Sequence, residues 1–456
     1  MVHAGFTNFN TGATDLRCGT PNGSGGITKL PGDWRETMSS HWFHDHMFEF
    51  TAQNVYKGNA GTMNLYSSLD RGNEAINDGV NLRLPSGTAK DWGNLDYDVN
   101  LMLSDKAFNE RGQLIFDIFD TDGVLGDVMT VNLAYKPYFQ VERRKYRFRI
   151  LNGAVARMFK IALSDGKPFH LIANDGNLLP QSVLVAATGI FGVAERLDIV
   201  IDFTQWPVGG RVQMVNLVEH NDGRKVKETL SLREAMAGSD QDPGVGSFLE
   251  FRVVREPSQP DTSQVPARLI ENPQLNQPVA RVRDFLFGRG AKQTLPVAHL
   301  LPTASHGPWG IRTNGGAMLA AAYSRVTAAP KIGTREVWHL RNGGGGWDHP
   351  IHVHFEEGQI LLRDGSAANV PAWERGRKDV YRLQPGGDMT VSMQFRDWGG
   401  MFMEHCHTTT HEDHAMLMRW DLVADGAPSL VPMPTPLPRP QGVTFAAVAE
   451  TLPGAL

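Results

Sequence analysis

Short runs in which polar and apolar residues alternate recur along this 456-residue chain, and that period of two predicts strands rather than helices. Lys145-Tyr146-Arg147-Phe148-Arg149-Ile150-Leu151 is the clearest, and it stops at the turn pair Asn152-Gly153. Asp98-Val99-Asn100-Leu101-Met102-Leu103 reads as a second strand. The 48 Gly and 27 Pro supply the frequent turns that an all-β chain requires. Residues 1–70 read as the second half of a β-sandwich, ending near 59–66. A connector rich in Gly and Asp leads into a run of strands over 95–255. A linker rich in Pro, Gln and Asn (257–277) precedes a final sandwich over 279–425, and a Pro-rich tail covers 426–456.

The middle and last units look like copies of one another. Phe148-Arg149-Ile150-Leu151-Asn152-Gly153 recurs as Trp338-His339-Leu340-Arg341-Asn342-Gly343. Further on, Arg196-Leu197-Asp198-Ile199-Val200 is matched to Arg377-Lys378-Asp379-Val380-Tyr381, and the turn Pro207-Val208-Gly209-Gly210 to Pro385-Gly386-Gly387. Between these matches the last unit carries His349-Pro350-Ile351-His352-Val353-His354, where the middle one carries Arg157-Met158-Phe159-Lys160-Ile161-Ala162. The middle unit is therefore expected to be a metal-free spacer.

Length predicts two or three domains. A net charge of -5 with no basic stripe argues against nucleic acid as a partner. No run of eighteen apolar residues exists, so no membrane span is expected.

Chemistry concentrates in three places. The stretch Glu404-His405-Cys406-His407-Thr408-Thr409-Thr410-His411-Glu412-Asp413-His414-Ala415-Met416 holds one thiol, four imidazoles and a thioether. On a strand His405 and His407 point one way and Cys406 the other, so one segment can serve two metal centres. A thiolate, two imidazoles and a weak axial Met form the ligand set of a blue-copper site. Zinc also accepts Cys and His, but favours paired spacings and has no use for a Met. His349, His352 and His354 form a second cluster; an H-x-H on a strand is by itself as compatible with a polar face as with a metal. His41, His44 and His46, among Trp42 and Phe43, form a third.

With W-F-H-D-H at 42–46, H-P-I-H-V-H at 349–354 and H-C-H-x3-H-x4-M at 405–416, the chain resembles the multicopper oxidases, the family of laccases, bilirubin oxidases and bacterial spore-coat oxidases. The resemblance implies tandem cupredoxin-like Greek-key β-sandwiches in a three-domain arrangement whose first domain is incomplete. It implies a type 1 copper on His349, Cys406, His411 and axial Met416. His44, His46, His354, His405 and His407 would hold the type 3 pair and His352 the type 2 copper, four coppers in a complete protein. It also implies oxidation of a phenol, aromatic amine, pigment or metal ion by single electrons, coupled to reduction of dioxygen to water, in a periplasmic or extracellular setting.

In the family, an H-x-H-G motif near the N-terminus completes the type 2 and type 3 sets. Here His3, in Met1-Val2-His3-Ala4-Gly5, either stands for its second histidine or is unrelated. No export signal follows Met1, and the sequence is expected to begin inside the first domain. The competing expectations are a divergent, partly active chain, or a noncatalytic binding or scaffold protein without a complete trinuclear centre. Copper nitrite reductase is disfavoured, because those enzymes lack the imidazoles that flank the cysteine here.

Glu412 matches a carboxylate that relays protons in spore-coat relatives, with a structural role as the alternative. Asp45 points away from its neighbouring histidines and is expected to bond a turn or stay solvated. His414 is a candidate for support of the type 1 site. His41, His170, His220, His299, His306 and His339 read as surface or hydrogen-bonded histidines. Cys406 must be a free thiolate to bind metal, which leaves Cys18 a packed free thiol or a partner for a segment not in this sequence.

Overall fold

The computed structural model describes residues 39–273, 275–290, 309–321, 325–395 and 400–423, with the backbone of 19–21 and 27–29. His3, Cys18, His299, His306 and the tail at 426–456 lie outside the described residues. The architecture is all-β: two large sandwiches preceded by a hairpin. Among the described residues no helix is long and apolar enough to cross a membrane.

The hairpin pairs Ser39–His44 with Ala60–Leu65 in antiparallel register, Ser39 opposite Leu65 and His44 opposite Ala60. Its strands are joined through the short helix Thr51–Tyr56, whose first N–H groups, on Thr51 and Ala52, donate to the Asp413 carboxylate at 3.1 and 2.8 Å. A side-chain oxygen acceptor at a helix N-terminus satisfies donors that the helix itself cannot. The contact fixes the hairpin against the segment that carries His411 and Glu412.

In the middle sandwich, Lys145–Asn152 lies between Arg196–Asp202, antiparallel, and Asp98–Phe108, parallel, within an eight-stranded sheet. A four-stranded sheet that includes Ile161–Leu163 and Arg211–Asn216 covers it. The alternating run at 145–151 is a strand as expected, and both of its faces are buried. Phe148 and Ile150 enter the core, while Arg147 and Arg149 face the hairpin and are neutralised there. Arg147 pairs with Asp198 at 2.6 Å and Asp70 at 2.6 Å, and Arg149 forks onto Asp98 at 2.7 Å through two nitrogens. Ser39 and Ser40 at the root of the hairpin each donate to Asp198 at 2.6 Å. Paired in this way, buried charges are tolerated.

The last sandwich repeats the plan. Arg335–Asn342 lies between Asp388–Gln394, antiparallel, and Val279–Arg289, parallel. The opposing sheet contains His349–Val353, Gly400–Cys406 and Leu417–Leu422.

Hydrogen bonds set the correspondence between the two copies. Asn152 N donates to Glu195 O and its amide to Arg157 O, as Asn342 N donates to Gly387 O and its amide to Trp347 O. Ala194 (φ 68) and Gly386 (φ 72) take the same left-handed conformation one residue earlier. Arg196 therefore stands at the position of Asp388, which corrects the match to Arg377, and the turn at 385–387 corresponds to 193–195 rather than to 207–210. The cause is a lost strand. Where the last unit pairs Val380–Leu383 with His349–Val353, the middle unit keeps only the bridges Phe159 to Phe191 and Ala162 to Ala187.

With that register, Phe159 occupies the place of His349, Ala162 that of His352, Val215 that of His405 and Asn216 that of Cys406. None of those four residues presents an imidazole or thiol.

Candidate metal centres

The Gly400–Cys406 strand runs beside His349–Val353, with Ile351 opposite Cys406 and His352 opposite His405. Alternation of side chains then divides the donors between two clusters.

Toward the sandwich core, Cys406 Sγ lies 3.5 Å from His349 Nδ1 and 3.6 Å from His411 Nδ1, and the two nitrogens are 3.2 Å apart. All three residues are buried. Three donors about 2 Å from a shared ion sit roughly 3.5 Å apart when planar, so this triangle fits one metal ion. Burial pushes the Cys406 thiol up and the His349 imidazole down to about 3, so without a cation both groups are neutral. A bound cation removes the proton from such a thiol. His411 Nε2 is 3.1 Å from the carbonyl of Asp122, which fixes the proton on that nitrogen and leaves Nδ1 for the cluster. Met416 is fully buried in the same core, and its carbonyl accepts from Cys406 N at 3.1 Å. The Trp309 ring packs tilted against His411, with ring centroids 4.1 Å apart.

On the other side, Nε2 atoms of His46, His354 and His405 converge at 3.1, 3.2 and 3.1 Å. A tetrahedral ion with bonds of about 2 Å spaces its donors by roughly 3.3 Å, close to these edges. Three nitrogens so close cannot all be satisfied by shared protons, because a neutral imidazole carries only one. Glu412, fully buried, reaches back to both outer nitrogens, 3.3 Å from His46 Nδ1 and 3.1 Å from His405 Nδ1. Burial alone would raise its carboxyl, but the imidazoles of His405 and His46 outweigh burial and hold it down at about 2.

His44 and His407 face each other edge to face with ring centroids 5.0 Å apart, and Trp42 stacks on His44 at 4.4 Å. His407 Nδ1 is buried without a hydrogen-bond partner among the described residues, which is the state of a nitrogen awaiting a metal. His44 Nδ1 and His352 Nδ1 each meet a backbone carbonyl, Asp45 O at 2.7 Å and Asp379 O at 2.9 Å, which leaves their Nε2 atoms free. His44, His46, His352, His354 and His407 line one cavity of about 280 Å3. His3 and Cys18 are not among the described residues, and nothing places them.

The remaining titratable residues sort by partner. Asp45 accepts from Met47 N and Asn54, closing the turn after the Ser39–His44 strand. His414 Nδ1 meets Thr410 O at 2.7 Å, inside its own turn. His220 accepts from Met158 N, and His339 meets Thr390. Three contributors escape sequence reasoning: Asp122, Arg196 and Asp379. Each acts through a carbonyl or a salt bridge from a distant segment, and no local motif marks them.

A thiol with two imidazoles beside a separate array of imidazoles, set in paired β-sandwiches, defines a copper protein of cupredoxin-like architecture. The family profile described as multicopper oxidase matches residues 294–424. A bilirubin oxidase from Albifimbria verrucaria is 32% identical over 392 residues, covering 84% of this chain and 60% of that protein. A laccase from Bacillus subtilis (strain 168) is 28% identical over 412 residues, covering 84% and 70%. The crystal structure of the McoA multicopper oxidase from Aquifex aeolicus superposes with a TM-score of 0.65 at 24% identity, covering 85% of this chain and 76% of that one. Over most of its length this chain is similar to proteins of the multicopper oxidase class. It spans about 60% of the length of the bilirubin oxidase it matches.

Proposed function

We propose that this chain works as a copper oxidase that takes electrons singly from a small reductant and delivers them to dioxygen. The observation that carries the reading is the adjacency of His405 and Cys406, one chain step apart and in different clusters. Copper bound at the two clusters would supply electron acceptance at the thiolate and dioxygen reduction at the imidazoles.

The protein's own part is positional and protonic. Cys406, His349, His411 and Met416 form a dry, preformed type 1 site, in which burial excludes water and side reactions. His405 and His407, on the opposite face, hold the far end of the covalent path. His46, His354 and His405 would share one type 3 ion, His44 and His407 the other, and His352 the type 2 ion. Glu412 orients His46 and His405 and stands close enough to pass protons toward the cavity. Similarity to a bilirubin oxidase supports a bilirubin-like pigment as one candidate reductant; phenols, aromatic amines and metal ions fit the same single-electron chemistry.

One observation favours a second reading. Among the described residues only two sets of three donors converge, and His44 with His407 has no third donor. A chain with an intact blue site and a partial imidazole site would be a copper-binding or scaffold protein rather than an oxidase. Copper analysis beside oxygen uptake separates the two. Four coppers per chain with phenol-dependent uptake supports the oxidase, whereas blue copper without uptake supports the second reading.

A further inference from the structure

The middle unit, expected to be a metal-free spacer that holds the outer units together, makes directed contacts with the imidazole array. We propose that Arg196 is a positioning residue for that array, one guanidinium holding the strand that bears His44 in register with the strand that bears His352 and leads into His354. The inference rests on the copper-site reading above and names which residue outside the donor set makes the site.

Arg196 is buried, 3% exposed, and lines the cavity. Its Nη1 and Nη2 fork onto the Asp379 carboxylate at 2.7 and 2.8 Å. Its Nε donates to Ser40 O at 3.3 Å, on the hairpin strand four residues before His44. Nη1 also donates to Ala194 O at 3.1 Å, so every side of the fork is used. A bidentate pair of this kind fixes direction as well as distance.

What Arg196 holds is the residue that sets His352. The carbonyl of Asp379 accepts from His352 Nδ1 at 2.9 Å and from Val353 N at 3.0 Å, so it determines which imidazole nitrogen is left for metal. Both flanking residues are gripped from the same side. Lys378 Nζ sits between Asp175 at 2.7 Å and Glu195 at 2.9 Å, and Val380 N donates to Asp175 Oδ2 at 3.3 Å. Three consecutive residues of the last unit are thus clamped by the middle one.

The repeat argues that the fold itself does not require this arginine. At the same position in the last sandwich stands Asp388, a residue of opposite charge, in an identical ladder. What differs is the neighbour: in the middle unit that strand end faces the imidazole cavity.

The test uses the full chain with Arg196→Gln, Arg196→Lys and Asp379→Asn, and cupric ion alone as the probe. In metal-free protein labelled with nitrogen-15 on histidine, the wild type should show His352 protonated at Nδ1, and Arg196→Gln should show mixed tautomers. On adding copper, the blue thiolate absorption should be unchanged in Arg196→Gln, while cupric affinity of the non-blue sites falls roughly 10- to 100-fold. Arg196→Lys should fall between. Asp379→Asn keeps the carbonyl but breaks the fork, and should match Arg196→Gln even if the latter folds poorly. Unchanged tautomer and unchanged non-blue affinity in both Arg196→Gln and Asp379→Asn, or equal loss of blue and non-blue copper in the two, would overturn the proposal. A wild type with no non-blue copper sinks the oxidase reading instead, and the tautomer comparison still decides the role of Arg196.

Discussion

His405 and Cys406 are bonded neighbours whose side chains serve different clusters: His405 Nε2 lies 3.1 Å from His354, and Cys406 Sγ lies 3.5 Å from His349. The strand's alternation creates this division without any loop, so the separation between the two centres is fixed by covalent geometry. Everything else in the site serves to bring the remaining imidazoles to the two faces of that strand.

The Glu412 carboxylate lies 3.3 and 3.1 Å from the outer nitrogens of two of those imidazoles, His46 and His405. Glu412→Ala should weaken cupric binding at His46, His354 and His405 by about 10- to 100-fold, the usual loss when a ligand's hydrogen-bond partner is removed. Competition with a chelator measures it. Glu412→Gln retains one acceptor and should lose less. Wild-type affinity in the alanine variant would show that the carboxylate does not orient the rings.

Asp198 joins the hairpin to the middle sandwich by accepting from Ser39, Ser40 and Arg147. Asp198→Ala leaves a buried guanidinium without its main partner and should cost about 3–5 kcal/mol. Urea unfolding reads the loss, and non-blue copper should fall before blue copper does, because the hairpin carries His44 and His46. A cost below about 1 kcal/mol, the size of an exposed pair, would contradict this assignment.

Lys106 lies 4.4 Å over the Tyr56 ring, and burial pushes its amine down to about 8 from 10.5. At neutral pH folded and unfolded chains both hold the proton, and the fold bears the whole cost. Between about pH 8 and 10.5 the unfolded chain binds more protons than the folded one, so stability rises with pH across that window. Lys106→Met should raise the melting temperature at pH 7 and flatten the rise above pH 8. Calorimetry at pH 7 and pH 10 checks both, and a variant less stable at pH 7 would refute the sign.

The three donor motifs were legible because each is local: a strand at 39–44, a strand at 349–353, and a strand leading into the turn at 409–413. The all-β character followed from the same short periods. The register of the repeat was misread because the turn at 207–210 resembles that at 385–387 in sequence, while the true counterpart, 193–195, lacks the paired glycines. Nothing in the strand itself announces the burial of Arg147 and Arg149, because the opposing serines come from a hairpin about a hundred residues earlier. Arg196, Asp122 and Asp379 were invisible for a related reason: two act through main-chain carbonyls, whose presence no side-chain pattern encodes.

The central claim is that the sulfur at 406 and the imidazoles on either side of it belong to two coupled metal centres. Cupric titration of the wild type and of Cys406→Ser, following thiolate absorption, total bound copper and phenol-driven oxygen uptake together, tests it most directly. The account predicts an intense blue band that saturates with a single copper while further copper binds without colour; in the serine variant the band and the uptake vanish but the colourless copper remains. No blue band in the wild type, or an unaltered band and uptake in Cys406→Ser, would contradict it.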